Sequence, residues 1–279
     1  MEITSSNIKL KPRRKTSHKG QNGIVTVIGG SEDYVGAPAL VGMSALAVLR
    51  SGADLVHVIA PEKTAWAINC IAPDIITHKL PGRHFSFVHV KRTLELIKHA
   101  DVVVIGNGIT LTPGEIKFVK EIIKRANKPL VIDAAALRIT RIQDVKNAVL
   151  LPHAGELETL LKNSKLTGAS VQKTLGTNIL VKKGHPRTEI ISKRAIAINK
   201  TGHAGMTHGG TGDVLAGIIA ALIAQGNEPY IAACAATYVN GKTAESLSKE
   251  LGFGYLASDF ISALPRVLKK FQHYSQSLK

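Results

Sequence analysis

Seven consecutive residues, Thr207-His208-Gly209-Gly210-Thr211-Gly212-Asp213, carry the groups that phosphate chemistry needs, close enough in sequence to act at one place. Gly209, Gly210 and Gly212 let the backbone approach a phosphate with no Cβ in the way. Apolar residues at 214, 215, 218, 219, 222 and 223 recur every three to four positions, which predicts a helix over Gly212–Ala224 with one face in the core. Its first-turn amides lack partners within the helix, and the helix dipole adds to their pull, so Gly209, Gly210, Thr211 and Gly212 form a candidate anion hole. Asp213 admits two readings, a helix cap or a base that takes a proton from an attacking hydroxyl. A carboxylate beside a phosphate cradle repels the anion bound there, and a reaction that needs a base accounts for that cost.

Three other residues stand where chemistry is expected. His153 follows Pro152 at a predicted strand end and can point into a ligand crevice, although a lone histidine is more often structural. Glu156, three residues on, caps the next helix or helps hold a metal-bound phosphate, with the cap weighted more heavily. Lys183 ends a strand and can neutralise phosphate charge.

The elements that must position these residues alternate. Gly23 opens a β-branched run that stops at Gly29-Gly30, a small apolar helix is expected over Ala37–Arg50, and a strand over Asp54–Ala60 ends at Pro61. Helices near Val90–His99 and Pro113–Arg125 alternate with strands at Asp101–Gly106, Pro129–Asp133 and Ala148–Pro152. Shorter strands at Asn178–Lys183, Glu189–Ser192 and Ala195–Asn199 precede helices at Gly212–Ala224, Pro229–Lys249 and Ser258–Phe271. Near-continuous aliphatic strands separated by helices predict an α/β fold, a mostly parallel central sheet with helices on both faces. Ligands of such sheets sit beyond the carboxyl ends of the strands.

Composition agrees. The 279 residues read as one domain, with no internal repeat, no low-complexity tract and no linker rich in Pro, Gly or Ser. Cys70 and Cys234 match no metal or redox spacing and are expected as buried small hydrophobes. No charged-then-apolar leader opens the chain, and its longest apolar stretch, Val214–Ala224, is too short to span a bilayer, so a soluble, cytoplasmic protein without a membrane partner is expected. The formal charge of +16 fits nucleic acid, anionic lipid or an anionic small molecule. Lys9, Lys11, Arg13, Arg14, Lys15 and Lys19 give a basic N-terminal arm at about 1–20, solvated or bound to a polyanion.

Several segments together resemble the ADP- or ATP-dependent NAD(P)H-hydrate dehydratases, enzymes of ribokinase-like, three-layer fold. Thr16-Ser17-His18-Lys19-Gly20, then Val27-Ile28-Gly29-Gly30-Ser31 and Tyr34-Val35-Gly36-Ala37-Pro38, resemble the family's opening motif. Gly106-Asn107-Gly108 resembles its second glycine turn, Pro152-His153-Ala154-Gly155-Glu156 its Pro-His-x-Gly-Glu, and Lys183-Gly184 with Thr188 its nucleotide-phosphate segment. Gly209 to Asp213 and Gly254-Tyr255-Leu256-Ala257-Ser258-Asp259 complete the series. Each piece alone is weak; the order makes the match specific. The resemblance implies that Ala37, Gly108, His153 and Asp213 face the hydrated nicotinamide nucleotide, NADHX or NADPHX. It implies that Lys183, Gly184, His185, Pro186, Arg187, Thr188 and Gly212 contact ADP or ATP. It further implies a catalytic Asp213, accompanying Mg2+ on an unassigned site, and a homo-oligomer, commonly a tetramer. The kinase-like pattern begins near residue 18, so the epimerase domain that sometimes precedes this module is expected to be absent.

Two departures stand out. Asp133-Ala134-Ala135-Ala136-Leu137 lacks the second carboxylate usual in the family, and His208 places a titratable ring beside the glycine loop with no evident purpose. A vitamin-precursor kinase of the same fold is the nearest rival, but such enzymes usually carry Cys where this chain has Asp213. A nucleotide- or nucleic-acid-binding protein without catalysis is the rival of another class. Charge is its only support, because the sequence has no nucleic-acid motif and few aromatic residues for stacking.

Overall fold

A computed structural model describes residues 1–32, 47, 50 and 54–271. The expected helix over 37–50, and with it Ala37, lies outside the described residues save for 47 and 50.

Among the described residues nine strands form one sheet in the order β3-β2-β1-β4-β5-β6-β7-β8-β9. They are β1 (Ile24–Ile28), β2 (Leu55–Pro61), β3 (Ile76–Leu80), β4 (Val102–Ile105), β5 (Leu130–Ile132), β6 (Ala148–Leu150), β7 (Ile179–Lys182), β8 (Thr188–Ile191) and β9 (Ile196–Asn199). From β3 to β7 every neighbouring pair is parallel, while β7 with β8 and β8 with β9 are antiparallel. The described helices are α1 (Glu62–Ile71), α2 (Val90–Leu96), α3 (Pro113–Arg125), α4 (Ala154–Ser164), α5 (Gly168–Thr174), α6 (Thr211–Ala224), α7 (Pro229–Leu251) and α8 (Ala257–Leu268).

Strand alternation sends side chains to both faces, and both faces are buried. Val102 and Val104 of β4 join the core shared with Ala65 and Ile68 of α1, Ile218 and Leu222 of α6, Ala236 of α7 and Phe260 of α8. Val103 and Ile105 point the other way, into the core with Val90 of α2, Phe118 and Ile122 of α3 and Leu160 of α4. The result is the expected three-layer arrangement. Chain order reverses between β1 and β4, and beyond their carboxyl ends the Gly30 amide donates to the Asn107 carbonyl at 2.8 Å.

Some elements differ from expectation. β3, read Ile-Thr-His-Lys-Leu, is a polar edge strand with no aliphatic run to announce it, α1 and α5 add helices to those expected, and α4 is the helix that Glu156 was expected to cap. Cys234 is buried as expected, but Cys70 is exposed, because α1 turns it away from the face that buries Ala65 and Ile68. The start of the basic segment is anchored. Ile3 and Ile8 are buried, the Ile3 amide donates to the Ile198 carbonyl on β9 at 2.9 Å, and the Lys11 amide donates to Asn227 Oδ1 at 2.7 Å. Lys9, Arg14, Lys15 and Lys19 face solvent. No helix among the described residues is long and apolar enough to cross a membrane.

Candidate functional site

Three strands and one helix deliver the polar residues of a cavity of about 530 Å³. Asp133 directly follows β5, His153 caps α4 after β6, Lys183 follows β7, and Asp213 stands in the first turn of α6. All four line the cavity, together with Glu156, Gly210, Thr211 and Gly212.

The start of α6 is built as the sequence predicts. Gly210 is the N-cap at φ 94°, a left-handed conformation that favours glycine, and no side chain caps the helix. The first amide bonded to the helix is that of Val214, 3.1 Å from the Gly210 carbonyl. The amides of Thr211, Gly212 and Asp213 therefore have no acceptor among the described residues. The Thr211 hydroxyl donates to the Met206 carbonyl at 2.8 Å, so this residue offers a ligand its amide, not its hydroxyl. Gly209 is exposed and lies off the cavity lining.

Beside this helix start lies a network of charges. Lys183 Nζ donates to Asp133 Oδ1 at 2.8 Å and lies 3.9 Å from Glu156 Oε2. Asn107, just after β4, donates from Nδ2 to Asp213 Oδ1 and, at 3.4 Å, to Asp133 Oδ2. The turn that carries Asn107 needs its glycine: Gly106 sits at φ 127°, and a Cβ there would lie 2.0 Å from the Asp133 carbonyl oxygen. Burial first, and then the charge of Asp133, push the Asp213 carboxyl up from 3.8 to about 6, against the pull of Asn107 and Lys183. Burial works against the Lys183 ammonium, yet Asp133, with help from Glu156 and Asp213, carries its pKa above 10.5. The result is a fixed positive charge beside a carboxyl that can take up and release a proton near neutral pH.

The structure brings most of the expected site residues together. Lys183, Gly184, His185, Pro186, Thr188 and Gly212 line the cavity, whereas Arg187 lies off it and pairs with Glu189 at 3.3 Å. His153 lines the cavity, but its Nδ1 accepts from the Gly155 amide at 3.2 Å and its Nε2 lies 3.3 Å from Glu156 Oε1. Glu156 Oε2 accepts from the His153 amide at 3.0 Å, so these two residues complete a capping box on α4. Gly108 lies outside the lining, one residue beyond Asn107. His208 now has a role: its Nε2 meets the Phe253 carbonyl at 3.0 Å and ties the glycine loop to the turn before α8. Asn107 and Asp133 are the site residues that sequence reasoning left without a function; the glycine turn and the aspartate at a strand end were the available signals.

Comparison with known proteins gives this arrangement a family. The pattern of the NAD(P)H-hydrate dehydratases matches residues 25–266. The chain belongs to that family. An ADP-dependent (S)-NAD(P)H-hydrate dehydratase of Nitrosopumilus maritimus is 33% identical, over 96% of this chain and 97% of its own. A ribokinase-like superfamily protein of Enterococcus faecalis superposes with a TM-score of 0.82 at 28% identity, covering 97% and 96% of the two chains. The ADP/ATP-dependent NAD(P)H-hydrate dehydratase of Bacillus subtilis, co-crystallised with ATP/Mg2+, superposes with a TM-score of 0.79 at 26% identity, over 95% and 96%. The chain spans about half the length of the bifunctional relatives it matches, 51% for the NAD(P)H-hydrate repair enzyme of Methanocaldococcus jannaschii. The fold of this dehydratase-family chain is thus ribokinase-like, a mostly parallel sheet between two helical layers.

Among the described residues no three His, Cys, Asp or Glu side chains are grouped to hold a metal ion. Asp133 already accepts from Lys183 and Asn107, and Glu156 from His153. These residues do not build a dedicated metal cage.

Proposed function

We propose that this protein returns hydrated NADH or NADPH to NADH or NADPH with ADP, or ATP, as the phosphoryl donor. The observation that carries this reading is the position of Asp213, a carboxyl in the first turn of α6 beside free helix amides and a lysine in one cavity.

In this reading the terminal phosphate lies on the amides of Thr211, Gly212 and Asp213, with Lys183 offsetting its charge. Gly184, His185, Pro186 and Thr188 border the rest of the nucleotide and His153 the hydrated ring, to which the family resemblance adds Gly108 and, outside the described residues, Ala37. Asp213 takes the proton of the ring hydroxyl, whose oxygen attacks the terminal phosphorus as the bond to the nucleotide's bridging oxygen breaks. The carbon–oxygen bond then breaks and phosphate leaves with the electron pair. Loss of the proton on the adjoining carbon restores the ring double bond. Hydroxide leaves poorly and phosphate leaves well, which is why the nucleotide is consumed. Any Mg2+ would come with the nucleotide and offset the charge of its phosphates, since Asp133 and Glu156 are already hydrogen-bonded.

The reading extends to a cytoplasmic homotetramer, supported by the family alone and checked by light scattering. The activity is tested by supplying hydrated NADH or NADPH with ADP or ATP and following reduced-nicotinamide absorbance, with phosphorylated vitamin precursor as the rival product. Return of the reduced cofactor supports the dehydratase; a stable phosphorylated precursor supports a kinase.

A further inference from the structure

Asn107 stands between the two aspartates of the site. Its residue is 1% exposed, and its amide nitrogen donates both to Asp213 Oδ1 and to Asp133 Oδ2. An amide nitrogen carries two hydrogens, so each carboxylate receives one. Turning the amide over would set its oxygen against two carboxylate oxygens, so the neighbours dictate its orientation. Asn107 Oδ1 is buried with no donor among the described residues, and nothing there competes with the carboxylates for the side chain.

The groups facing Asp213 pull in opposite directions. Asp133 after β5 and Glu156 on α4 disfavour its ionised form, as does burial, whereas Lys183 after β7 favours it. Lys183, however, gives its hydrogen bond to Asp133. Asn107 is the donor that reaches Asp213 directly, and it does so through Oδ1, leaving Oδ2 without a donor among the described residues.

We propose that Asn107 is a positioning residue: by giving one hydrogen to each aspartate it holds them side by side, keeps Asp213 ionised, and leaves Asp213 Oδ2 to receive the substrate's proton. In that step the hydroxyl O–H bond breaks, an Oδ2–H bond forms, and the oxygen's electron pair goes to phosphorus. The proton's origin rests on the reaction proposed above; the hydrogen bonds do not.

The test compares wild type with Asn107→Leu, alike in branching, larger and without a donor, and with Asn107→Ala, smaller and without a donor, as a second variant. Losing a hydrogen bond that favours the carboxylate raises its pKa. The acidic limb of the kcat/KM profile should move to higher pH by roughly one to two units, with activity recovering toward wild type on the alkaline side. A carbon-13 NMR titration of the Asp213 carboxyl, without substrate or nucleotide, should move by the same amount. An equal loss at every pH with an unmoved carboxyl titration would overturn the proposal and leave Asn107 a packing residue. If wild type does not turn over hydrated cofactor, the functional reading fails, and the carboxyl titration still decides the role of Asn107. If Asn107→Leu does not fold, Asn107→Ala gives the same two readouts.

Discussion

Lys183 and Asp133 lie 50 residues apart in sequence, yet Nζ meets Oδ1 at 2.8 Å across the carboxyl ends of β7 and β5. Asp133 is 2% exposed, so this lysine is the counter-charge of a buried carboxylate as well as a candidate phosphate ligand. Removing it leaves that charge buried and alone. Lys183→Met should lower stability by about 2 kcal/mol in denaturant unfolding, below the full cost of a broken buried pair because the lysine is partly exposed. Calorimetric titration should show nucleotide affinity falling by about tenfold or more. Unchanged affinity would remove Lys183 from the nucleotide site.

Gly212 is the other steric limit at this point. A Cβ on it would lie 3.3 Å from Lys183 Nζ, tighter than ordinary contact. Gly212→Ala should therefore displace the ammonium and raise the nucleotide KM roughly tenfold, while the melting temperature changes little because the residue is already helical.

Asp213 carries a stability cost that its function explains. Its folded pKa lies above the unfolded value, so the folded state binds the extra proton between about 3.8 and 6. Stability attributable to this group is greatest below that window and falls as pH rises through it. Asp213→Asn removes the buried charge, and chemical denaturation at neutral pH should show it up to about 3 kcal/mol more stable than wild type, with no such gain near pH 4.

Much of this arrangement was legible. The glycine loop announced the start of α6 because the backbone signal and the apolar period are local, and aliphatic runs announced all the strands but β3. Asp133, Asn107 and Lys183 follow three different strands, and no local pattern says that their side chains meet; only the sheet order does. β3 escaped notice because an edge strand needs no continuous apolar run. His208 looked anomalous in sequence because its partner is a backbone carbonyl 45 residues away.

A second titrating pair lies far from the cavity residues in the sheet order. His57 Nδ1 and His78 Nε2 are 2.9 Å apart, with ring centroids 5.2 Å apart and planes within 7°. One ring donates and the other accepts, side by side in one plane. Burial holds both pKa values below 6.5, and for His78 the neighbouring His57, Arg92 and Lys79 add to that. The unfolded chain thus takes up protons first, so stability is lost as pH falls below about 6.5. Thermal unfolding of His57→Phe should show a weaker loss over that acid range than wild type.

The central claim is that Asp213 takes the proton while the helix amides and Lys183 hold the phosphate. Its most direct measurement gives wild type and Asp213→Asn the same hydrated NADH and ADP, recording NADH regained, AMP released and ADP affinity together. Wild type should yield NADH and AMP in equal amounts, and Asp213→Asn should bind ADP at least as well while turnover falls by two to four orders of magnitude, roughly what a general base contributes. Turnover at the wild-type rate in Asp213→Asn would contradict the account.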